Sequence, residues 1–228
     1  MLDVWVMDLD ACPSGITYGA CLDQDELDRA RSQHCPGHAH RFIAAHGGLR
    51  HILARYTGQT PVELCFLASP FGKPVLANRP DNFPPLHFSM SHSGAHALCA
   101  VTSVEEIGVD VEQTRNLDVL AMAQRFFSEA EWRSLEDLPH PQMQDAFFAC
   151  WTRKEAYVKA KGVGLAWPLN TFTVGQGKSG PVLLESRRAP DDVGRYVIAD
   201  IPVAHGYKAA IAYRGSAGPP RIGAMNWG

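Results

Sequence analysis

Two rhythms of apolar and polar positions run along this chain. In Glu106-Ile107-Gly108-Val109-Asp110-Val111-Glu112, apolar Ile107, Val109 and Val111 alternate with Gly108, Asp110 and Glu112. That is the period of a half-buried strand, and it sends Asp110 and Glu112 out of one face. Other runs predict strands near residues 2–7, 64–68, 87–90, 95–101, 171–174, 182–185, 196–201 and 207–213. The second rhythm is helical: between residues 38 and 56, Phe42, Ala45, Leu49, Ile52, Leu53 and Tyr56 recur on one helix face, a pattern that Gly47-Gly48 weakens. Short helices are predicted over 23–31 and 117–127, and Ser128-x-x-Glu131 forms a capping box that starts another, ending near 138. Pro141 suits the first turn of a helix around Trp151, and Gly162-Val163-Gly164 suits its end. The chain therefore divides into two similar halves, 1–103 and 104–214, each a helical part followed by antiparallel strands, with a Gly- and Pro-rich tail, 215–228, expected to be irregular. The fold class expected is α+β.

The chemistry begins with a charge inside an apolar stripe. At about 100° per residue, Phe148 and Trp151 fall within roughly 40° of Glu155 on a helix, Val158 lies a little further round, and Lys159 is one turn beyond. Such a stripe carries Glu155 towards the interior, where an ionised carboxylate is costly unless a cation or several donors meet it. A metal ion, Lys159 or a raised pKa would each answer that cost; the plainer reading is an i,i+4 Glu-Lys pair at the edge of a surface helix, worth about 0.3–0.5 kcal/mol. Asp110 and Glu112, on one strand face, repel each other unless solvent or a divalent cation screens them. Together with Glu155 they can supply the oxygen ligands that Mg²⁺ prefers. In Phe88-Ser89-Met90-Ser91-His92-Ser93-Gly94, hydroxyls and an imidazole at a turn can donate to phosphate oxygens, although Ser and Gly mark turns anyway. Phe71-Gly72-Lys73-Pro74 sets a lysine in a loop.

Taken in order, Gly72-Lys73-Pro74, Ser91-His92-Ser93, Gly108-Val109-Asp110-Val111-Glu112, Arg125-Phe126-Phe127-Ser128 and Trp151-x-x-Lys154-Glu155-Ala156-x-x-Lys159 closely resemble the surfactin-type 4′-phosphopantetheinyl transferases, in the branch whose last motif carries the Trp. The resemblance covers about 73–172, with an echo at Ala39-His40-Arg41 and Arg50. It implies two α+β subdomains related by a pseudo-twofold axis with coenzyme A between them. It also implies transfer of the phosphopantetheine arm of coenzyme A to a serine of an apo carrier protein. By the same resemblance Asp110, Glu112 and Glu155 are Mg²⁺ ligands, Glu155 is also the general base, and Lys159 stands beside the reacting phosphate. Lys73, Ser91 and His92 would hold the nucleotide phosphates, and Arg29 and Arg41 the 3′-phosphate. The segment 113–133, with Leu117, Leu120, Phe126, Phe127, Arg125 and Arg133, would form part of the carrier-docking surface, although Phe126 and Phe127 read more simply as buried faces of two helices. The chain departs from the pattern at Ser89, where many relatives have Asn, at Phe42, where some have a hydroxyl, and at Glu26, where a basic residue is expected.

Composition narrows the rest. The chain has 228 residues, 46% of them hydrophobic, enough for a sizeable core, and its net charge of −3 argues against general nucleic-acid binding. Its six cysteines show no Cys-x-x-Cys spacing and read as reduced thiols of a cytoplasmic protein. No apolar run reaches the ~18 residues of a membrane span, and the start lacks the basic flank of a signal peptide. His34, His38, His40 and His46 read as surface and helix-face residues rather than a metal cluster, and Trp5, Trp132 and Trp167 as packing residues. A monomer is expected, because the paired subdomains would complete the cleft. Two rival functions stand beside the transferase: a Mg²⁺-dependent phosphohydrolase acting on a nucleotide pyrophosphate, and a coenzyme A sensor without turnover.

Overall fold

The computed structural model describes all residues except 14–15, 79–84, 104–105, 178–179, 216–217 and 228. The first half runs β1 (Leu2–Asp8), α1 (Ile16–Gly19), α2 (Gln24–Arg31), α3 (Pro36–Thr57), β2 (Phe66–Ala68), β3 (Pro74–Leu76), β4 (His87–Ser93) and β5 (His96–Thr102). The second runs β6 (Ile107–Gln113), α4 (Val119–Phe126), α5 (Glu129–Glu136), α6 (His140–Lys161), β7 (Phe172–Gly177), β8 (Gly180–Ser186), β9 (Tyr196–Asp200) and β10 (Tyr207–Arg214), with β11 (Arg221–Ala224) last. The mixture of helices with antiparallel sheets is α+β, as the alternation of patterns predicts.

The two halves repeat one plan. In the first sheet β1 pairs with β5 and β5 with β4; in the second, β6 pairs with β10 and β10 with β9, every pairing antiparallel. Opening strand, last strand and penultimate strand thus lie in the same order twice. Each half also has one helix of 22 residues, α3 or α6, opened by a proline in its first turn and closed by a left-handed glycine. The inner faces of the two sheets meet: Leu2, Val4, Leu98 and Ala100 pack with Ile107, Val109, Val111 and Ile211. Helix α3 covers the outer face of the first sheet against Met7, Phe88 and Cys99. Helix α6 covers the second against Phe172, Ile198, Ala210 and Ala212. The result is four layers, helix, sheet, sheet, helix, with α4 and α5 flanking α6 around Phe127, Phe147 and Phe148.

Three expectations need correction. Ser91, His92 and Ser93 lie inside β4 rather than at a turn; the chain reverses at Gly94, with φ 55°, just after them. Gly47-Gly48 does not interrupt α3, because a Cβ on Gly47 would come 2.7 Å from Tyr18, and one on Gly48 2.7 Å from the Met7 sulfur. The pair marks close packing. The tail is not wholly irregular: β11 pairs in parallel with β1 (Val4↔Ile222), Arg221 forks onto Asp3 at 2.7 and 3.0 Å, and Trp227 donates to the Asp8 carbonyl. Four residues containing a glycine are too short a run to outweigh the Gly and Pro around them; residues 216, 217 and 228 of that tail lie outside the described residues. Strand β3, a run that the sequence rhythm does not mark, exists because Phe66–Ala68 supplies a partner for it.

Helix α6 and β6 meet tightly at a glycine. A Cβ on Gly108 would sit 2.1 Å from the Ala156 carbonyl oxygen and 2.4 Å from the Ala160 nitrogen, both helix backbone. Neither can swing aside as a side chain would. Gly108→Ala must therefore lift α6 from the sheet, and overpacking of this kind costs about 1–3 kcal/mol or more. Urea denaturation is expected to show a lower midpoint with an unchanged slope; an unshifted midpoint would mean that the helix yields freely.

Candidate active site

Strands β4 and β6 are the facing edges of the two sheets, and hydroxyls bridge them. Ser89 accepts the Val109 N–H at 3.2 Å, Ser91 donates to Asp110 Oδ1 at 2.8 Å, and Ser93 donates to Glu112 Oε2 at 2.9 Å. Strand alternation puts the three serines on one face of β4, as it puts Asp110 and Glu112 on one face of β6. Asp110 is 3% exposed. Its Oδ1 also takes Lys159 Nζ at 2.6 Å, while its Oδ2 is buried with no hydrogen-bond partner. Burial, then the Asp110 charge, raises the Glu112 carboxyl above the usual range, against the pull of Ser93. Burial also raises that of Glu155, reinforced by Asp110 and Glu112, while Lys159 pulls the other way. The structure thus brings Asp110, Glu112, Glu155, Lys159 and Ser91 into one neighbourhood. Among the described residues no group of three or more His, Cys, Asp or Glu is arranged to hold a metal ion as it stands.

The charge that α6 carries into the interior is not the expected one. Glu155 is half-buried, whereas its neighbour Lys154 is 0% exposed, bound to Glu131 at 2.6 and 2.7 Å and to the Phe172 carbonyl at 2.6 Å. Glu131 in turn accepts the Ser128 and Val174 N–H groups. Lys154 faces β7 and α5, a side of the helix whose partner lies 23 residues back in the chain, and local periodicity does not register such a pair.

Arg29, His46, Phe66, Pro74, His92 and Lys159 stand among the walls of a cleft of about 540 Å³. A hollow of about 380 Å³ adjoins it, lined by Arg29, Arg41, Phe42, His92 and Ser93. His92 is exposed to the cleft; the surrounding protein, then the charges of His46, Lys159 and Arg29, pushes its pKa down to about 4. Arg29 lies over the Phe42 ring at 5.3 Å, and Arg41 forks onto Asp10 at 2.7 and 2.8 Å. Lys73 Nζ donates to the Ile107 and Lys159 carbonyls at 2.7 and 2.9 Å, and burial pushes its pKa down to about 8.

On the other side of Glu155, a largely apolar cavity of about 430 Å³ lies between Arg125, Phe126, Trp151, Val158, Trp167 and Leu169. Trp167, read as packing, therefore faces this cavity, and so does Phe126. Phe127, by contrast, is buried at 3% exposure and stacks on Phe147.

Glu26, which looked out of place, has a structural task. It is buried beneath the cleft, pairs with His46 at 3.0 Å and accepts Arg50 Nε at 2.8 Å. Arg50, 1% exposed, also donates to Asp23 and to the Pro61 and Leu64 carbonyls. A basic residue at 26 would leave two cations facing each other.

Three carboxylates gathered around Lys159, which also lines a cleft with Arg29 and His92, suit a protein that handles a phosphorylated substrate. Comparison narrows that class. The model of the 4′-phosphopantetheinyl transferase superfamily matches residues 106–212. The 4′-phosphopantetheinyl transferase HetI of Nostoc sp. is 42% identical over 165 residues, 72% of this chain and 69% of that protein. The 4′-phosphopantetheinyl transferase Sfp of Bacillus subtilis is 30% identical over 190 residues, 83% of this chain and 81% of that one. A crystal structure of a holo-(acyl-carrier-protein) synthase from Bacillus anthracis overlays on 47% of the chain at 18% identity and a TM-score of 0.38, too loose a likeness to argue from. The chain belongs to the 4′-phosphopantetheinyl transferase superfamily.

The Glu26 cluster gives a pH test. Burial alone would raise the Glu26 carboxyl, but hydrogen bonds from His46, Arg50 and the Asp23 N–H outweigh it and hold the pKa down to about 2. A value below the ordinary 4.5 means that its stabilisation is full above pH 4.5 and fades as the pH falls towards about 2. Glu26→Gln is expected to lower stability at pH 7 by about 3 kcal/mol, because buried Arg50 loses its buried partner and keeps only the half-exposed Asp23 as a counter-charge. It should also flatten the loss of stability between those pH values in thermal melts. A wild-type curve retained by the variant would assign the acid sensitivity elsewhere.

Proposed function

We propose that this protein moves the phosphopantetheine arm of coenzyme A onto a serine hydroxyl of an apo carrier protein, releasing adenosine 3′,5′-bisphosphate. The observation that carries this reading is that Glu155 and Lys159, one turn apart on α6, stand against Asp110 and Glu112, with Lys159 lining a polar cleft and Glu155 an apolar cavity. Arg29 and Lys159 supply positive charge, and the neutral His92 imidazole a hydrogen-bond donor, for a nucleotide carrying several phosphates, with His92 and Arg29 towards the 3′-phosphate. The apolar cavity beyond Glu155 suits the pantetheine arm and the approach of the carrier, with Arg125 at its rim facing an acidic partner.

The residues present fit a divalent cation. Asp110 Oδ2 is a buried oxygen without a donor, and Glu112 and Glu155 are carboxylates whose ionised forms are disfavoured as they stand. Mg²⁺, which takes oxygen ligands, would be held by Asp110, Glu112 and Glu155, and when bound it neutralises charge on the pyrophosphate. The chain's own residues do the rest. Glu155 is placed to accept the serine proton, directly or through a water. Lys159 donates to the pyrophosphate, and Ser91 keeps Lys159 and Asp110 in register. The new bond joins the serine oxygen to the phosphorus bearing the pantetheine arm. The bond that breaks links that phosphorus to the bridging oxygen, which leaves with the adenosine bisphosphate. Phosphoryl transfer needs little more than this placement of charge. The same reading makes the protein a cytoplasmic monomer, in keeping with its six free cysteines. A phosphohydrolase gains no support from the related proteins.

Mass spectrometry of an apo carrier incubated with coenzyme A and Mg²⁺ tests the reaction. The carrier should gain the phosphopantetheine mass, with adenosine 3′,5′-bisphosphate formed only when the carrier is present. Bisphosphate released without carrier would make the protein a hydrolase. Glu155→Gln should lower kcat by about 10²–10⁴ while coenzyme A still binds; calorimetry showing both lost together would make Glu155 a binding group. For His92→Ala, the lost contact to a charged phosphate should weaken coenzyme A by about 1.5–3 kcal/mol, and 3′-dephospho-coenzyme A much less. Equal weakening of both nucleotides would take His92 off the 3′-phosphate.

A further inference from the structure

We propose that Ser93 is a positioning residue for Glu112, an inference that rests on the carboxylate site proposed above. The Ser93 hydroxyl oxygen accepts the Gln113 N–H at 3.1 Å, which leaves its single proton to donate to Glu112 Oε2 at 2.9 Å. The hydroxyl therefore ties the backbone of one residue to the carboxylate of the one before it. Glu112 needs the tie. Asp110 is buried and held from two sides, by Ser91 and by Lys159. Glu112 is only half-buried, near the end of an edge strand, on a longer side chain, and the Asp110 charge repels it. Without a donor its carboxylate would turn away towards solvent.

Ser93 is itself held in reach from the other half of the molecule. The turn that follows it is pinned by the Tyr207 hydroxyl, which accepts the Ala95 N–H at 2.9 Å. It fits so closely that a Cβ on Gly94 would meet Gln113 Oε1 at 2.4 Å and that hydroxyl at 2.5 Å. A hydroxyl on a mobile loop would not fix a carboxylate; this one sits in a strand whose end is bolted to β6 and β10. Ser93 also lines the hollow with Arg29, Arg41 and His92, so a direct contact with a nucleotide phosphate is the competing role to be distinguished.

The test uses the full chain and Mn²⁺ as the probe, read by electron paramagnetic resonance in the presence of coenzyme A, with coenzyme A affinity measured separately in EDTA. Loss of the group that orients a metal ligand typically costs about 10- to 100-fold in metal affinity. Ser93→Ala should weaken Mn²⁺ by that factor, Ser93→Thr should restore most of it, and coenzyme A affinity in EDTA should match wild type. Wild-type Mn²⁺ affinity in Ser93→Ala overturns the proposal. A fall in coenzyme A affinity in EDTA overturns it too, making Ser93 a phosphate contact. Should Ser93→Ala fail to fold, Ser93→Cys, a weaker donor of similar volume, must bind Mn²⁺ less tightly than wild type, and equal binding would overturn the proposal. If the wild-type protein binds no Mn²⁺ beside coenzyme A, the carboxylate site itself falls, a result distinct from the preceding ones, and this inference falls with it.

Discussion

The site depends on the missing side chain of Gly108. With hydrogen in place of Cβ, β6 lies directly beneath the backbone of α6 at Ala156, Lys159 and Ala160. At any greater separation the ammonium of Lys159 would not reach Asp110 at 2.6 Å, and Glu155 would not share the field of the two strand carboxylates. Lys73 fastens the same contact from a third direction, since the carbonyls it bridges belong to Ile107, next to Gly108, and to Lys159. Three stretches far apart in the chain, around Lys73, Gly108 and Glu155, therefore meet at one point of backbone contact. Their joint presence is a packing requirement as much as a chemical one.

A second regularity concerns charge. In each half the long helix buries one cation, and the glutamate of a capping box on a shorter helix meets it. Arg50 lies 14 residues after Pro36, the start of α3, and is paired with Glu26 of the Asp23 capping box; Lys154 lies 14 residues after His140, the start of α6, and is paired with Glu131 of the Ser128 capping box. One carboxylate thus caps a helix and neutralises a buried cation. Residue identities show no repeat to the eye. The repetition lives in position and charge, where an Arg and a Lys are equivalent and the partner lies about 20 residues back.

That explains what was legible. Period-2 alternation placed β6 and the face carrying Asp110 and Glu112, and the capping box with Pro141 and Gly162 placed α5 and α6, because those signals are local. The motifs singled out Asp110, Glu112, Glu155, Lys159 and Ser91, which the fold brings into one neighbourhood, and His92, which lines the cleft with Arg29. The buried pairs of Arg50 and Lys154 were not legible, because an apolar stripe reveals a helix's buried face but not a charge neutralised from another element. Strands β3 and β11 escaped for a related reason: each is three or four residues long and exists through its partner, β2 or β1. The loop around Lys73 drew attention as a phosphate contact, and its observed bonds are to backbone carbonyls that no sequence pattern brings near it.

The neighbours Lys154 and Glu155 show how one helix serves both stability and chemistry. Lys154 is enclosed, and the cost of burying its charge is offset by both oxygens of Glu131 and a carbonyl. Replacing such a residue removes structure. Glu155, about 100° further round the helix, is left in a field that opposes its ionisation, with burial, Asp110 and Glu112 on one side and Lys159 on the other. That is a poor place for a carboxylate if stability is the measure. It is a good one for a group meant to take a proton or meet a cation, and perturbed groups of this kind gather where proteins do chemistry. Because Lys154 is locked, the backbone that carries Glu155 is locked with it, so the carboxylate starts from a fixed point on the helix.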